Sequence, residues 1–125
     1  MSVTIAFPSD DHPCFGFLAH PFICKVCRLV RTHLDNPDLD VPFLCKHLAT
    51  SRTPLHNKLT RFTGMSTTEF VRFIRLEEAK KLLLETELAV SEVAYQVGFR
   101  SPAYFARRFH ERYGMSPTEY RNNSQ

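Results

Sequence analysis

The side chains best equipped for chemistry in this 125-residue chain fall into three groups. The first is a set of thiols and imidazoles. His20, Cys24 and Cys27 stand at helical intervals, and Cys14 and Cys45 could complete a tetrahedral zinc site around them. A lone C-x-x-C is a weak zinc pattern, and the simpler reading is four small, reduced thiols with no metal and no cofactor. The second group is six histidines. Their spacing makes no Ser/His/Asp or Cys/His set, and no glycine loop is available to cradle a phosphate, so no enzyme activity is expected. The third group is cationic. Arg52, Lys58 and Arg61 follow Ser51, and Arg107, Arg108, His110 and Arg112 follow Arg100 and Ser101. Each run starts at a serine suited to open a helix, where backbone N–H groups and the helix dipole attract an anion. This is the chemistry of holding a polyanion rather than of making or breaking bonds.

The charge balance agrees. The formal net charge is only +3, but Asp10 and Asp11 are the only charges of residues 1–20. All 16 Lys and Arg therefore lie in residues 21–125, against 11 Asp and Glu. No apolar run approaches the roughly 18 residues of a membrane span. The N-terminus lacks the basic-then-apolar pattern of a signal peptide, so a cytoplasmic protein without a membrane partner is expected.

The elements that must position the cations are helices. Residues 1–20 are broken by proline and read as a leader or linker, with Phe15, Phe17 and Leu18 tucked on the domain. From Pro21, Phe22, Ile23, Val26, Val30 and Leu34 recur at three- and four-residue steps until Asp35-Asn36-Pro37. Asp40 caps a second helix with Pro42 in its first turn. After Ala49-Thr50, Ser51 caps a third, with Leu55, Leu59 and Phe62 inward and Gly64 as its stop. Ser66 and Glu69 form a capping box that opens a long helix to about Thr86. Val90 to Val97 is a fifth helix. Ser101-Pro102 opens a sixth, with Phe105, Phe109 and Tyr113 inward, and Ser116 with Glu119 boxes a short seventh. No strand-like alternation is present. The pattern predicts an all-α fold of about seven helices. It divides into a helix-turn-helix subdomain over 21–65, a linker helix over 66–86, a second helix-turn-helix subdomain over 87–121 and a frayed tail over 122–125.

The two halves are copies. At an offset of 50, Ser51, Leu55, Leu59, Gly64, Met65 and Ser66 fall on Ser101, Phe105, Phe109, Gly114, Met115 and Ser116. Thr68, Glu69 and Phe70 fall on Thr118, Glu119 and Tyr120. Each copy is helix, tight turn, helix. Two such helices cross closely before the turn, where a small residue is needed, and four residues later glycine suits the reversal. The second copy has Ala94 and Gly98 there; the first has Cys45 and Ala49. The first helices match at an offset of 49, so the second turn is one residue longer.

Val93-Ala94-Tyr95-Gln96-Val97-Gly98-Phe99, with Ser101 to Arg121, resembles the signature of the AraC/XylS family of bacterial transcription activators, Val93 standing for the family's Ile. Arg75-Leu76-Glu77-Glu78-Ala79 and Leu82-Leu83 are similar to that family's linker helix. Ser51-Arg52-Thr53 and Leu55 to Leu59 resemble the variant at the C-terminal end of hybrid two-component sensors. The first copy departs at Asn57, where the family often has Arg.

The resemblance implies a regulator whose second helix in each pair enters the major groove of double-stranded DNA. Helix geometry then assigns the outward residues. Thr53, His56 and Asn57 in the first unit, and Ala103, Ala106 and Arg107 in the second, are the candidate base readers. Arg107 is the strongest, because Arg bonds guanine bidentately. Ser51, Arg52, Lys58, Arg61, Arg100, Ser101, Arg108, His110 and Arg112 are the candidate phosphate contacts, which position without specifying. Arg75 is expected to pair with Glu69, Glu77 or Glu78. A linker helix of about 30 Å compares with the ~34 Å between successive major-groove segments, so one monomeric chain would read both. RNA polymerase is the further partner expected. The competing reading is a protein-interaction module derived from the same motif, favoured by Asn57 and Ala49.

Overall fold

The computed structural model describes residues 20–124. They form seven helices: α1 (Pro21–Thr32), α2 (Val41–Leu48), α3 (Arg52–Thr63), α4 (Thr67–Glu85), α5 (Val90–Gln96), α6 (Pro102–Tyr113) and α7 (Pro117–Asn123). No strand occurs among the described residues, as the sequence pattern predicts.

Four helix starts, those of α2, α4, α6 and α7, are made by caps read from the sequence. The Asp40 carboxylate accepts from the Phe43 N–H at 3.0 Å, and the Ser101 hydroxyl from the Tyr104 N–H at 3.2 Å. Both capping boxes are closed. Ser66 accepts from the Glu69 N–H while Glu69 accepts from the Ser66 N–H, and Ser116 and Glu119 do the same. At α5 the Glu92 carboxylate accepts from the Ala89 N–H at 3.1 Å, half of such a box. Ser51 stands at the start of α3 without a side-chain cap bond.

The first unit comprises the described residues up to His33 together with Asp38–Arg72. Its core includes Ile23, Val26, Cys27 and Val30 of α1, Leu44 and Leu48 of α2, Leu55 and Leu59 of α3, and Phe70 of α4. Each such side chain contributes about 1.5–3 kcal/mol when fully buried. The turn from α2 to α3 passes through Ala49 at φ 51° and ψ 47°, the left-handed region, where its N–H satisfies the last carbonyls of α2. The α1 helix stops at Thr32, three residues before the expected Asp35. The Thr32 hydroxyl bonds the Arg28 carbonyl, and the His33 ring bonds that of Leu29. Side chains therefore take up carbonyls of the last turn.

The second unit takes Leu34–Pro37 and the chain from Phe73 onward. Leu76, Ala79 and Leu83 of α4, Val93 and Ala94 of α5, Val97 and Phe99 of the turn, and Phe105 and Phe109 of α6 make one apolar cluster. Leu34, Tyr104, Tyr113 and Tyr120 pack against it. Arg75 is buried beside this cluster. It donates to the Val97 carbonyl at 3.3 Å and to the Asn36 carbonyl at 3.4 Å. The expected carboxylate pairing is replaced by two backbone acceptors. Glu77 instead faces Lys80 and accepts from the Tyr113 hydroxyl. Burial, then the Arg100 charge, lowers the pKa of the Arg75 guanidinium. Gly98, at φ 95°, lies so close that a Cβ there would overlap both the Arg75 guanidinium and the Leu34 carbonyl oxygen.

Candidate nucleic-acid interface

The outward face of α6 is built by the inward one. Phe105 and Phe109 are fully buried, so the helix has one possible orientation. That leaves Ala103, Arg107 and His110 exposed and Ala106 half-buried. On α3, buried Leu55 and Leu59 likewise turn Arg52, Thr53, His56, Asn57, Lys58 and Arg61 to the exterior. The six candidate base readers therefore fall on the outer faces of the two second helices, three on each.

The candidate phosphate contacts divide by what they already touch. Arg100 donates to the Pro37 carbonyl at 3.0 Å. Lys58 lies over the Phe22 ring at 4.6 Å, Arg61 over Phe62 at 5.6 Å and Arg112 over Phe73 at 4.7 Å. Arg108 bonds the Tyr104 hydroxyl through Nε at 3.1 Å and pairs with Glu111 at 3.1 Å. The ring contacts orient Lys58, Arg61 and Arg112 without neutralising them, whereas at Arg108 Glu111 supplies an opposite charge. The Ser101 hydroxyl is spent on its cap; the exposed Ser51 hydroxyl makes no cap bond. His56 and Thr60 lie 3.4 Å apart through Nε2 and Oγ1.

Tyr104 was not among the residues singled out by spacing. Its ring lies under both Arg107 and Arg108, at 5.4 and 5.2 Å from their guanidinium carbons. The signal for this contact is the placing of Arg107 and Arg108 three and four residues past Tyr104 on the expected helix.

No group of three or more His, Cys, Asp or Glu able to hold a metal occurs among the described residues. Cys14 lies outside the described residues. Of the others, Cys27 is buried and Cys45 half-buried. The helical spacing turns Cys27 into the core and leaves Cys24 on the flank of α1. No helix among the described residues is long and apolar enough to cross a membrane.

A family model described as a helix-turn-helix domain matches residues 44–123. The chain belongs to the AraC-type helix-turn-helix family of transcription regulators. Among AraC-type structures it is similar to the C-terminal domain of AraT, a response regulator from Geobacillus stearothermophilus. The TM-score is 0.75 at 30% identity, covering 83% of this chain and 86% of that one. It is also similar to the DNA-binding domain of AdpA, solved in complex with a target DNA. There the TM-score is 0.73 at 29% identity, covering 79% of this chain and 88% of that one. Among curated proteins it is 36% identical over 98 residues to histidine kinase P4 of Formosa agariphila, 78% of this chain but 7% of the kinase. The chain spans a third or less of the length of the curated AraC-type relatives it matches.

Proposed function

We propose that this chain is the DNA-binding part of a sequence-specific transcription regulator, and that α3 and α6 each enter a major-groove segment. The observation that carries the reading is the face of α6. A helix anchored by two buried phenylalanines presents a small, exposed Ala103 and an exposed Arg107 one turn apart. Such a face fits closely into a groove, and its guanidinium can take guanine O6 and N7 together. Ala103 and Ala106 meet thymine methyls. Thr53, His56 and Asn57 read the second segment, with Asn57 suited to adenine. Ser51, Arg52, Lys58, Arg61, Arg100, Ser101, Arg108, His110 and Arg112 hold the flanking phosphates. The likeness to a domain solved on its target DNA supports this reading. The likeness to a short part of a histidine kinase supports a role as the output of a two-component sensor. In a bacterial cytoplasm the domain binds as a monomer and acts on RNA polymerase.

The test is binding to duplexes selected from a random pool, read against salt. Contacts to about six phosphates lower affinity roughly 10³-fold between 50 and 200 mM salt. Arg107→Ala costs about 1–3 kcal/mol on the selected site and little on random DNA. Absence of binding even at low salt overturns the proposal in favour of a protein-interaction module. A footprint over only one groove segment overturns the two-helix reading.

A further inference from the structure

We propose that Tyr104 is a positioning residue for base recognition: its ring is the platform that holds Arg107 ready for a base edge. The proposal rests on the reading of α6 as a DNA-reading helix. Arg107 and Arg108 are adjacent, equally cationic and three and four residues past Tyr104, so both reach its ring. Only one of them is also tethered. Arg108 Nε donates to the Tyr104 hydroxyl at 3.1 Å, and its Nη1 lies 3.1 Å from Glu111 Oε1. That pair of bonds fixes Arg108 along the helix, where its charge is partly matched. Arg107 has the ring face and no such tether among the bonds at this site, and it remains exposed.

The ring itself is a rigid support. Tyr104 is half-buried, packs against the apolar cluster and lies 6.0 Å from the ring of buried Phe99. Its own N–H is held by the Ser101 cap. A long arginine normally loses rotamer freedom when it binds, and a platform reduces that loss beforehand. The first unit lacks the device. At the repeat offset of 50, Tyr104 falls on Pro54 and Arg107 on Asn57, a shorter side chain with less freedom to restrain. A platform residue and a long reader occur together in one copy and are missing together in the other.

The experiment compares Tyr104→Phe and Tyr104→Leu with the wild type in two measurements. In the free protein, NMR of the arginine Nε–Hε groups shows Arg107 shifted upfield by the ring in the wild type and Y104F, and unshifted in Y104L. On DNA, the ratio of affinity for a duplex selected by the wild type to that for random duplex is unchanged in Y104F. It falls about two- to fivefold in Y104L, the worth of an exposed cation–π contact. In an Arg107→Ala background, Y104L changes the ratio no further. Equal losses on both duplexes, an unchanged ratio in Y104L, or full additivity with R107A overturns the positioning role. If Y104L fails to fold, an unshifted Arg107 Hε in the wild type overturns it, and a shifted one retained in Y104F supports it. A wild type that selects no sequence from the pool overturns the proposed function instead. The two failures are thereby distinct.

Discussion

Ala49→Gly should stabilise the first unit. Ala49 is the only non-glycine residue at positive φ among the described residues, at φ 51° and ψ 47°. An L-residue with a Cβ pays about 1–2 kcal/mol in that region. Glycine removes this cost but gives the unfolded chain more freedom, which offsets about 0.4–1 kcal/mol. Ala49 is exposed, so its methyl group contributes little burial. The net gain is on the order of 0.5–1 kcal/mol, which for a unit of this size raises the midpoint by about 2–8 °C. The hydrogen bonds of the turn are retained, with Thr50 N–H on the Cys45 carbonyl at 3.1 Å and Ala49 N–H on that of Lys46 at 3.4 Å. The assay is urea unfolding followed by circular dichroism, with amide exchange at Thr50 reporting the turn itself. The urea midpoint should rise at constant slope. An unchanged or lower midpoint would refute the reasoning, because it would mean that the left-handed backbone at Ala49 carries no removable strain.

Gly98→Ala should do the opposite to the second unit. Its Cβ meets the Arg75 guanidinium and the Leu34 carbonyl, and φ is 95°, so backbone strain and overpacking together cost about 3 kcal/mol; a midpoint equal to wild type would contradict this. Arg75→Met removes the donor to the Val97 and Asn36 carbonyls and should cost about 1–3 kcal/mol. In the double variant with G98A the loss should be less than additive in urea unfolding, because the Met side chain vacates the clash. Acid should open the capping boxes. Backbone hydrogen bonds at Ser66 and Ser116, then those from the serine hydroxyls, hold Glu69 and Glu119 below their ordinary 4.5. Their contribution is therefore complete above pH 4.5 and is lost as pH falls through the depressed values. Glu69→Gln and Glu119→Gln should flatten the acid limb of helicity against pH, and an unaltered limb would count against the boxes.

The parts of the fold legible in the sequence were those governed by local chemistry. Caps at Asp40, Ser66, Ser101 and Ser116 act within three residues, and the stops at Gly64 and Gly114 within four, so their spacing is visible in the chain. The inward stripes of α3 and α6 follow from helical period, and with them the outward faces. Partners set by tertiary packing were not legible. Arg75 has carboxylates close by in sequence, yet its acceptors are 22 and 39 residues away. Arg100 sits where a phosphate contact was expected and also serves a carbonyl 63 residues away. The support that Tyr104 gives two guanidiniums depends on rotamers that spacing does not specify.

The Leu34–Pro37 segment has a consequence for how the chain can be cut and made. It belongs to the second unit although the helices on either side of it belong to the first. A fragment starting at Phe73 would retain every helix-turn-helix residue of the second copy. It would still lack Leu34, the Asn36 acceptor of Arg75 and the Pro37 acceptor of Arg100. During synthesis the second unit cannot close when its own helices emerge unless it captures a strip of chain made tens of residues earlier. The duplication visible in the sequence is thus not a pair of interchangeable cassettes, and grafting the second copy alone onto another protein transplants an incomplete domain.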